Sequence, residues 1–157
     1  MIDIHRLVDA WQIEVFFETL PEEMAAVYQP KSENQPAKIL LQKQRPFTRE
    51  EIRELLAMGL VFHQWIESLA DNYPNTLFLD CDPYPEHSRI RDHAALMLID
   101  LEELSGLLHA GIDDIVTLSQ RFGCRPLLLE RRLALEDVQG LWDSDTQTHR
   151  QIILRHA

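Results

Sequence analysis

The stretch TREEIRELLAMGLVFHQWIESLADN, residues 48–72, carries the clearest structural pattern in this chain. Thr48 is followed three positions later by Glu51, which makes a capping box that satisfies free backbone N–H groups at a helix start. Apolar residues then recur at intervals of three and four, as they do on one face of an α-helix. Pro74 cannot continue a helix. The pattern predicts one long helix over residues 48–72, with His63 as a hydrogen-bonded histidine on its apolar face.

Further helical patterns lie on both sides of this stretch. The apolar spacing predicts helices over residues 4–17, 22–28, 88–110 and 113–122, with Gly111 and Gly123 placed to end the last two. Residues 125–135 and 148–156 fit either helices or a small C-terminal β-hairpin, because they show both periodicities. Segment 29–46 is loop-like or linker-like, although Ile39–Leu41 could form an edge strand. We predict a mainly α fold of four to six helices in a compact single domain over residues 1–157, with α+β as the alternative.

Length and composition are those of one globular domain. The chain has 157 residues, of which 45% are hydrophobic and 26% charged, as is ordinary for such a domain. Its apolar runs are far shorter than the roughly 20 residues that a membrane-spanning helix needs. Cys81 and Cys124 form no paired motif, and no secretory signal pattern begins the chain. We expect a cytoplasmic protein with reduced thiols and no membrane association.

The chain is strongly acidic. It carries 26 acidic and 15 basic residues, a formal net charge of −11. Nucleic-acid binding requires lysine and arginine to neutralise phosphates, so this charge disfavours a broad nucleic-acid surface. It suits a soluble protein, or one that docks on a basic partner.

The segment from Asp80 to His93 has the densest set of reactive side chains. The apolar run Thr76–Leu79 leads directly into Asp80-Cys81-Asp82, which resembles the first motif of the haloacid-dehalogenase-type phosphotransferases. The resemblance implies one aspartate as nucleophile and a second as acid–base, beside magnesium. This chain departs from that motif at Pro83-Tyr84-Pro85, which stands where the family has Gly-Thr.

The same segment could instead bind a metal ion. Its candidate ligands are Asp80, Asp82, His87 and His93. No two of them have the spacing of a zinc finger or of a His-Glu-x-x-His motif, which favours turn-forming and helix-capping roles. A metal-dependent hydrolase or phosphotransferase is therefore an alternative function.

Residues 112–135 have the layout of a helix-turn-helix: a short helix, a turn at Gly123 and a second helix from Pro126. Four arginines against Glu130 make the stretch from Thr117 to Leu135 locally basic, with a net charge of +3. However, aliphatic Leu127–Leu129 stands where a recognition helix places its base-reading polar groups. A DNA-binding regulator is a second alternative.

The main hypothesis is a protein-binding regulatory module, such as an inhibitor, an immunity protein or an adaptor, that acts by forming a stoichiometric complex. The sequence shows no catalytic constellation and implies no cofactor, which favours a binding protein over an enzyme. Tryptophan, tyrosine and arginine dominate interface energetics. The candidate partner-binding residues are Trp65, Tyr84, Trp142, Arg121, Arg125, Arg131 and Arg132. A homodimer through an exposed helix stripe is also compatible with the pattern.

Overall fold

The computed structural model of the chain describes residues 1–65, the backbone of residues 76–77, and residues 85–135, with side chains from residue 87 in the last range. The chain divides into two compact units. We name residues 3–94 the sheet unit, and residues 1–2 with 95–157 the helical unit. The predictions made for Asp80, Asp82, Tyr84, Trp142 and residues 148–156 lie outside the described residues, and the single-domain prediction stays a prediction.

The sheet unit is built on a small mixed sheet. Its strands are β1 (Glu14–Glu18), β2 (Ala26–Gln29), β3 (Lys38–Gln42) and the two-residue β4 (Thr76–Leu77). They are ordered β1-β3-β2-β4. β1 runs parallel to β3, and β2 runs antiparallel to both β3 and β4. The possible strand at Ile39–Leu41 is therefore confirmed within segment 29–46, but it is an interior strand between β1 and β2 rather than an edge strand.

The helix predicted over residues 4–17 is wrong in its second half. Helix α1 covers only Ile4–Ala10, and the Asp3 side chain accepts from the Arg6 amide at 3.1 Å. The chain then turns at Gln12, whose φ of 57° is left-handed, and continues as β1. Apolar residues alternate from Ile13 onward, which is the period of a strand. Pairing with β3 therefore decides the conformation of residues 14–18, and the helical spacing predicts the structure correctly only as far as Trp11.

The short helix predicted over residues 22–28 is also wrong. Residues 26–29 form β2, in which Ala26 and Tyr28 are buried and Val27 is half-exposed. Strand β2 pairs with β3 along all four of its residues and with β4 at Ala26 and Val27. Seven residues are too few for a helix to be stable on local preference alone, and strand pairing decides their conformation.

The central helix α2 covers Arg49–Trp65, and its predicted start is confirmed. The Glu51 amide donates to Oγ1 of Thr48 at 3.2 Å. All ten residues from Arg53 to Phe62 are buried, so α2 is enclosed on every side. It packs against α1, β2 and β4, and its Gly59 lies directly against Ile39 of β3.

The helix predicted over residues 88–110 is two helices. Helix α3 covers Pro85–Leu98 and helix α4 covers Leu101–His109. Asp100 between them is extended, and its carboxylate accepts from the Glu103 amide at 2.9 Å. Asp100 and Glu103 thus have the spacing of a capping box, a local start signal inside a continuous apolar stripe. The predicted glycine end is confirmed, since Gly111 follows α4 with a φ of 84°.

Two more helices complete the described part of the helical unit. Helix α5 covers Ile115–Phe122 and ends at Gly123, which has a φ of 61° as predicted. Helix α6 covers Pro126–Leu133, with the proline in its first turn. Residues 126–133 are therefore helical rather than part of a hairpin. Together the described residues form six helices and one small sheet, an α+β arrangement with the predicted number of helices.

None of the helices in residues 1–65 and 85–135 combines the length and the apolarity that crossing a bilayer requires.

Candidate functional site

The most distinctive surface of the sheet unit is the edge strand β1. It is the terminal strand of the sheet, and among the described strands it pairs with β3 alone. Two adjacent phenylalanines on it face solvent, with Phe16 41% exposed and Phe17 56% exposed. Phenylalanine is usually buried in folded proteins. An edge strand with two exposed aromatic side chains therefore calls for an explanation.

The hydrogen bonds to β3 define which backbone groups of β1 point away from the sheet. The Glu14 amide donates to the Ala37 carbonyl at 3.0 Å, and the Glu18 carbonyl accepts from the Lys43 amide at 2.8 Å. Because backbone direction alternates along a strand, Glu14, Phe16 and Glu18 direct their N–H and C=O groups toward β3. Val15 and Phe17 direct theirs toward the open edge.

The two phenylalanines lie on opposite faces of the sheet. Phe17 shares its face with Ile39 and Leu41 of β3, which are buried in the core. Phe16 is on the outer face, level with Leu40 of β3, which in turn is level with Val27 of β2. Both neighbours are half-exposed, so a short apolar row runs across the outer face.

Charged side chains frame this row. The Lys38 ammonium lies 5.8 Å from the centre of the Phe16 ring, within the range of a cation–π contact. Glu14 and Glu18 stand at the two ends of β1, both exposed and both on the same face as Phe16. Strand β1 is therefore apolar in the middle with a glutamate at each end, and Lys38 of β3 lies level with Glu14. We name Glu14–Glu18 with Leu40 and Val27 the β1 surface.

A second feature of the sheet unit is an open groove of about 990 Å³ beside α2. Tyr28 and His63 meet at its base, with the tyrosine Oη 2.8 Å from Nδ1 of the histidine. The Trp11 ring centre is 5.9 Å from that of His63. The groove is lined by Tyr28, Pro30, Lys31, Ser32, Glu33, His63 and Gln64.

Both titratable groups at the base of the groove favour their neutral forms. Burial lowers the pKa of His63 below its ordinary value, and the Lys31 charge lowers it further. Burial raises the pKa of Tyr28 to about 12. At neutral pH both groups are therefore uncharged, and they share a hydrogen bond whose donor depends on the imidazole tautomer. The predicted hydrogen bonding of His63 is confirmed, although the side chain is half-buried.

Trp65, predicted as a partner contact, packs against α3 within the sheet unit. Its ring centre lies 4.4 Å from that of His93, edge to face, and the Arg89 guanidinium is 5.9 Å from the ring centre. The side chain is half-buried. Contact with a neighbouring element thus accounts for its position off the apolar stripe of α2.

The four arginines predicted to bind a partner do not form one surface. Arg121 is exposed, and its Nε lies 3.4 Å from a carboxylate oxygen of Glu103. Arg125 and Arg131 are half-buried. Arg132 is only 1% exposed and donates from Nε to the Ile99 carbonyl at 2.9 Å, so its guanidinium is engaged within the helical unit. The four arginines look alike in the sequence, which does not show which of their side chains is buried.

The histidines of the metal-binding alternative have different surroundings. His87 is buried, and its ring lies edge-on to Phe62 at 6.2 Å, whereas His93 is exposed beside Trp65. On one helix, residues six apart are separated by about 120° and about 9 Å, so α3 does not bring these two side chains together. Among the described residues, no group of three or more potential ligands is placed to hold a metal. The alternative also involves Asp80 and Asp82, and it stays a prediction.

The helix-turn-helix layout predicted for residues 112–135 is present. Helices α5 and α6 pack against each other, and Cys124 in the turn between them is buried. Leu127 is exposed at the second position of α6. That is where a recognition helix would contact base edges, and leucine offers no hydrogen bond there.

Sequence reasoning missed Phe16 and Phe17, because residues 4–17 were interpreted as one helix. The alternation of Ile13, Val15 and Phe17 was the available signal, together with a run of residues that favour strands. Comparison of the chain with protein-family models, with curated proteins and with solved structures found no match.

Proposed function

We propose that this protein is a binding module that takes up an extended segment of a partner protein as an additional strand beside β1. The observation that carries the proposal is the open edge of β1, with the outward backbone groups of Val15 and Phe17 and two exposed phenylalanines. Strand addition uses such groups, because main-chain hydrogen bonds supply affinity and alternate side chains supply specificity.

The limited edge protection along β1 supports the proposal. Natural proteins shield open edges with charged side chains, proline or a β-bulge, and β1 has only a glutamate at each end. Residues 14–18 contain neither proline nor lysine. Their register with β3 is unbroken over five residue pairs, so the strand has no bulge. Among the described residues, no second strand pairs with β1 anywhere along its length.

Stoichiometric binding of this kind requires no catalytic group. A module that holds a segment of its partner in an extended form can act as an inhibitor, an immunity protein or an adaptor.

The test is affinity capture with the full chain as bait, in extract from the native cell, comparing wild type with Val15→Pro. Proline at position 15 removes an N–H that points to the open edge and is not used in pairing with β3, which is where edge strands tolerate proline. We expect a stoichiometric partner to bind wild type and to be reduced about tenfold or more with the variant.

A matched control separates edge binding from general adhesion. Val116→Ser removes an apolar side chain that is 54% exposed on α5, and this variant is expected to capture the partner as well as wild type does. Circular dichroism establishes that Val15→Pro keeps its fold. Equal capture by wild type and by folded Val15→Pro would exclude strand addition at β1.

The packed pair α5–α6 supports duplex DNA binding as a second candidate. This candidate predicts that the protein retards duplex DNA in a gel at low salt. Arg125→Ala and Arg131→Ala should each weaken the complex and reduce the salt dependence of its affinity. Absence of a shift at low salt would remove this candidate without affecting the first one.

A further inference from the structure

We infer that the segment taken up by β1 comes from a different protein, runs antiparallel to β1, and carries a lysine or arginine opposite Glu14 and another opposite Glu18, with apolar residues between. This inference rests on the proposed function and specifies the chemistry of the partner. Three observations carry it: the direction of the backbone groups, the positions of the two glutamates, and the apolar row on the outer face.

The backbone pattern restricts how a second copy of β1 could pair with the first. Only Val15 and Phe17 offer outward N–H and C=O groups, so an antiparallel β1–β1 pair must place outward residues opposite outward residues. The register that uses all five residues sets Val15 opposite Phe17 of the second copy. It also sets Glu14 opposite Glu18 at both ends of the pair.

That register is unfavourable because like charges directly opposite one another destabilise a strand pair. Four carboxylates would face each other across the two ends, beside the two Phe16 rings. The other symmetric registers set Val15 opposite Val15, or Phe17 opposite Phe17. Each of them pairs only three residues of the strand, which loses part of the main-chain hydrogen bonding. The β1 surface is therefore built against self-association.

The same positions favour a basic partner. In an antiparallel addition, Glu14, Phe16 and Glu18 occupy the non-hydrogen-bonded sites, where facing side chains approach most closely. A lysine or arginine opposite each glutamate makes a cross-strand ion pair at each end. The formal charge of −11 on the whole chain attracts such a segment over a longer range.

The centre of the partner segment must be apolar on both faces. On the outer face its middle residue lies beside Phe16, which is level with Leu40 of β3. On the inner face its two neighbours lie beside Val15 and Phe17, at the margin of the core. The segment that fits is five residues long, with basic first and fifth residues and three apolar or β-branched residues between them.

The experiment measures binding of fluorescently labelled synthetic peptides to the full-length protein. Three peptides share the centre Val-Thr-Val and differ only at the flanking positions, which are both lysine, both glutamine or both glutamate. We expect the lysine peptide to bind at least about fivefold more tightly than the glutamate peptide. The difference should shrink as salt is added. Amide resonances of Val15 and Phe17 should shift on binding.

Charge reversal provides the decisive variant. The double substitution Glu14→Lys with Glu18→Lys should invert the preference, so that the glutamate peptide binds more tightly than the lysine peptide. Phe17→Ser should weaken all three peptides without changing their order.

Other outcomes overturn the inference while leaving the proposed function to its own test. Equal affinity for the three peptides, or no binding of any of them, would show that the charge pattern does not select the partner. A dimer of the wild-type chain at micromolar concentration that Val15→Pro dissociates would show that a second copy occupies the edge. In the first two cases, partner capture that depends on Val15 would still support strand addition.

Discussion

Gly59 of α2 lies against Ile39 of β3 with no room for a side chain between them. A Cβ at position 59 would overlap Cδ1 of Ile39 and lie 2.9 Å from its Cγ1. Both residues are buried. Helix α2 therefore approaches the sheet as closely as it does because residue 59 is a glycine.

Gly59→Ala should consequently destabilise the protein, although alanine is the better helix former. We expect the free energy of unfolding to fall by about 1–3 kcal/mol, since Ile39 is enclosed and must shift to admit the methyl group. The measurement is the midpoint of urea unfolding. The matched control is Gly106→Ala in α4, where no atom lies within 4 Å of a new Cβ. There the better helix propensity of alanine should raise the stability by about 0.5–1 kcal/mol. A loss at both positions would contradict the steric account.

The Gln42 side chain holds the loop that follows β1. Its Nε2 donates to the carbonyls of Leu20 at 2.8 Å and Pro21 at 3.0 Å, and its Oε1 accepts from the Leu20 amide at 3.1 Å. Gln42→Leu leaves these backbone groups without their partner and should lower the free energy of unfolding by about 1–3 kcal/mol. Hydrogen exchange at the Leu20 amide should accelerate. The control is Gln44→Leu, at an exposed position. If the Leu20 amide stays protected in Gln42→Leu, the Gln42 side chain does not hold this loop.

The Arg132 guanidinium is drawn into the helical unit by the carbonyl at the end of α3. Its Nε lies 2.9 Å from the Ile99 oxygen, just before the break at Asp100. Arg132→Ala should lower the free energy of unfolding by about 2–4 kcal/mol, because it empties a buried volume and leaves a carbonyl unsatisfied. The neighbouring Arg131→Ala, at a half-exposed site, should cost much less. Thermal unfolding of the two variants provides the comparison, and equal losses would argue against a buried hydrogen bond.

His63 should make the stability depend on pH. Its pKa is lowered in the folded protein relative to the ordinary value of 6.5, so the unfolded chain binds its proton more readily. Above pH 6.5 the histidine is mostly neutral in both the folded and the unfolded state, so it has little effect on the free energy of unfolding. This free energy falls as the pH drops below 6.5 toward the folded pKa, because only the unfolded chain takes up the proton. His63→Gln keeps a partner for Tyr28 and should reduce this acid dependence. Urea midpoints between pH 7.5 and pH 5 test the prediction, and parallel curves for the two proteins would contradict it.

Helix starts and ends were the most predictable features of this fold. Thr48, Gly111, Gly123 and Pro126 all perform the local roles that their residue types indicate. Each role depends on backbone groups within one helical turn, so a few neighbouring residues suffice to define it. Asp100 obeys the same rule, but the apolar stripe across it is continuous and hides the boundary between α3 and α4.

The strands and the candidate site were much harder to predict. Short apolar segments such as residues 13–17 and 26–29 satisfy helical and strand spacing almost equally well. Arginine is usually exposed, so residue type alone predicts that Arg132 lies on the surface. Residues 14–17 of the β1 surface were predicted to belong to a helix. In each case the missing information is the position of a segment that is distant in the sequence.

The sequence by itself determined that a helix begins after Thr48, where several of the other helices begin or end, and that the chain has a net negative charge, because these depend on residue type and on contacts within a single turn. Only the tertiary structure decided that residues 14–18 form a strand beside residues 38–42, that this strand lies at the edge, and that Phe16 and Phe17 remain exposed there. Strand pairing joins residues more than 20 positions apart, and its free energy comes from partners that no local pattern specifies.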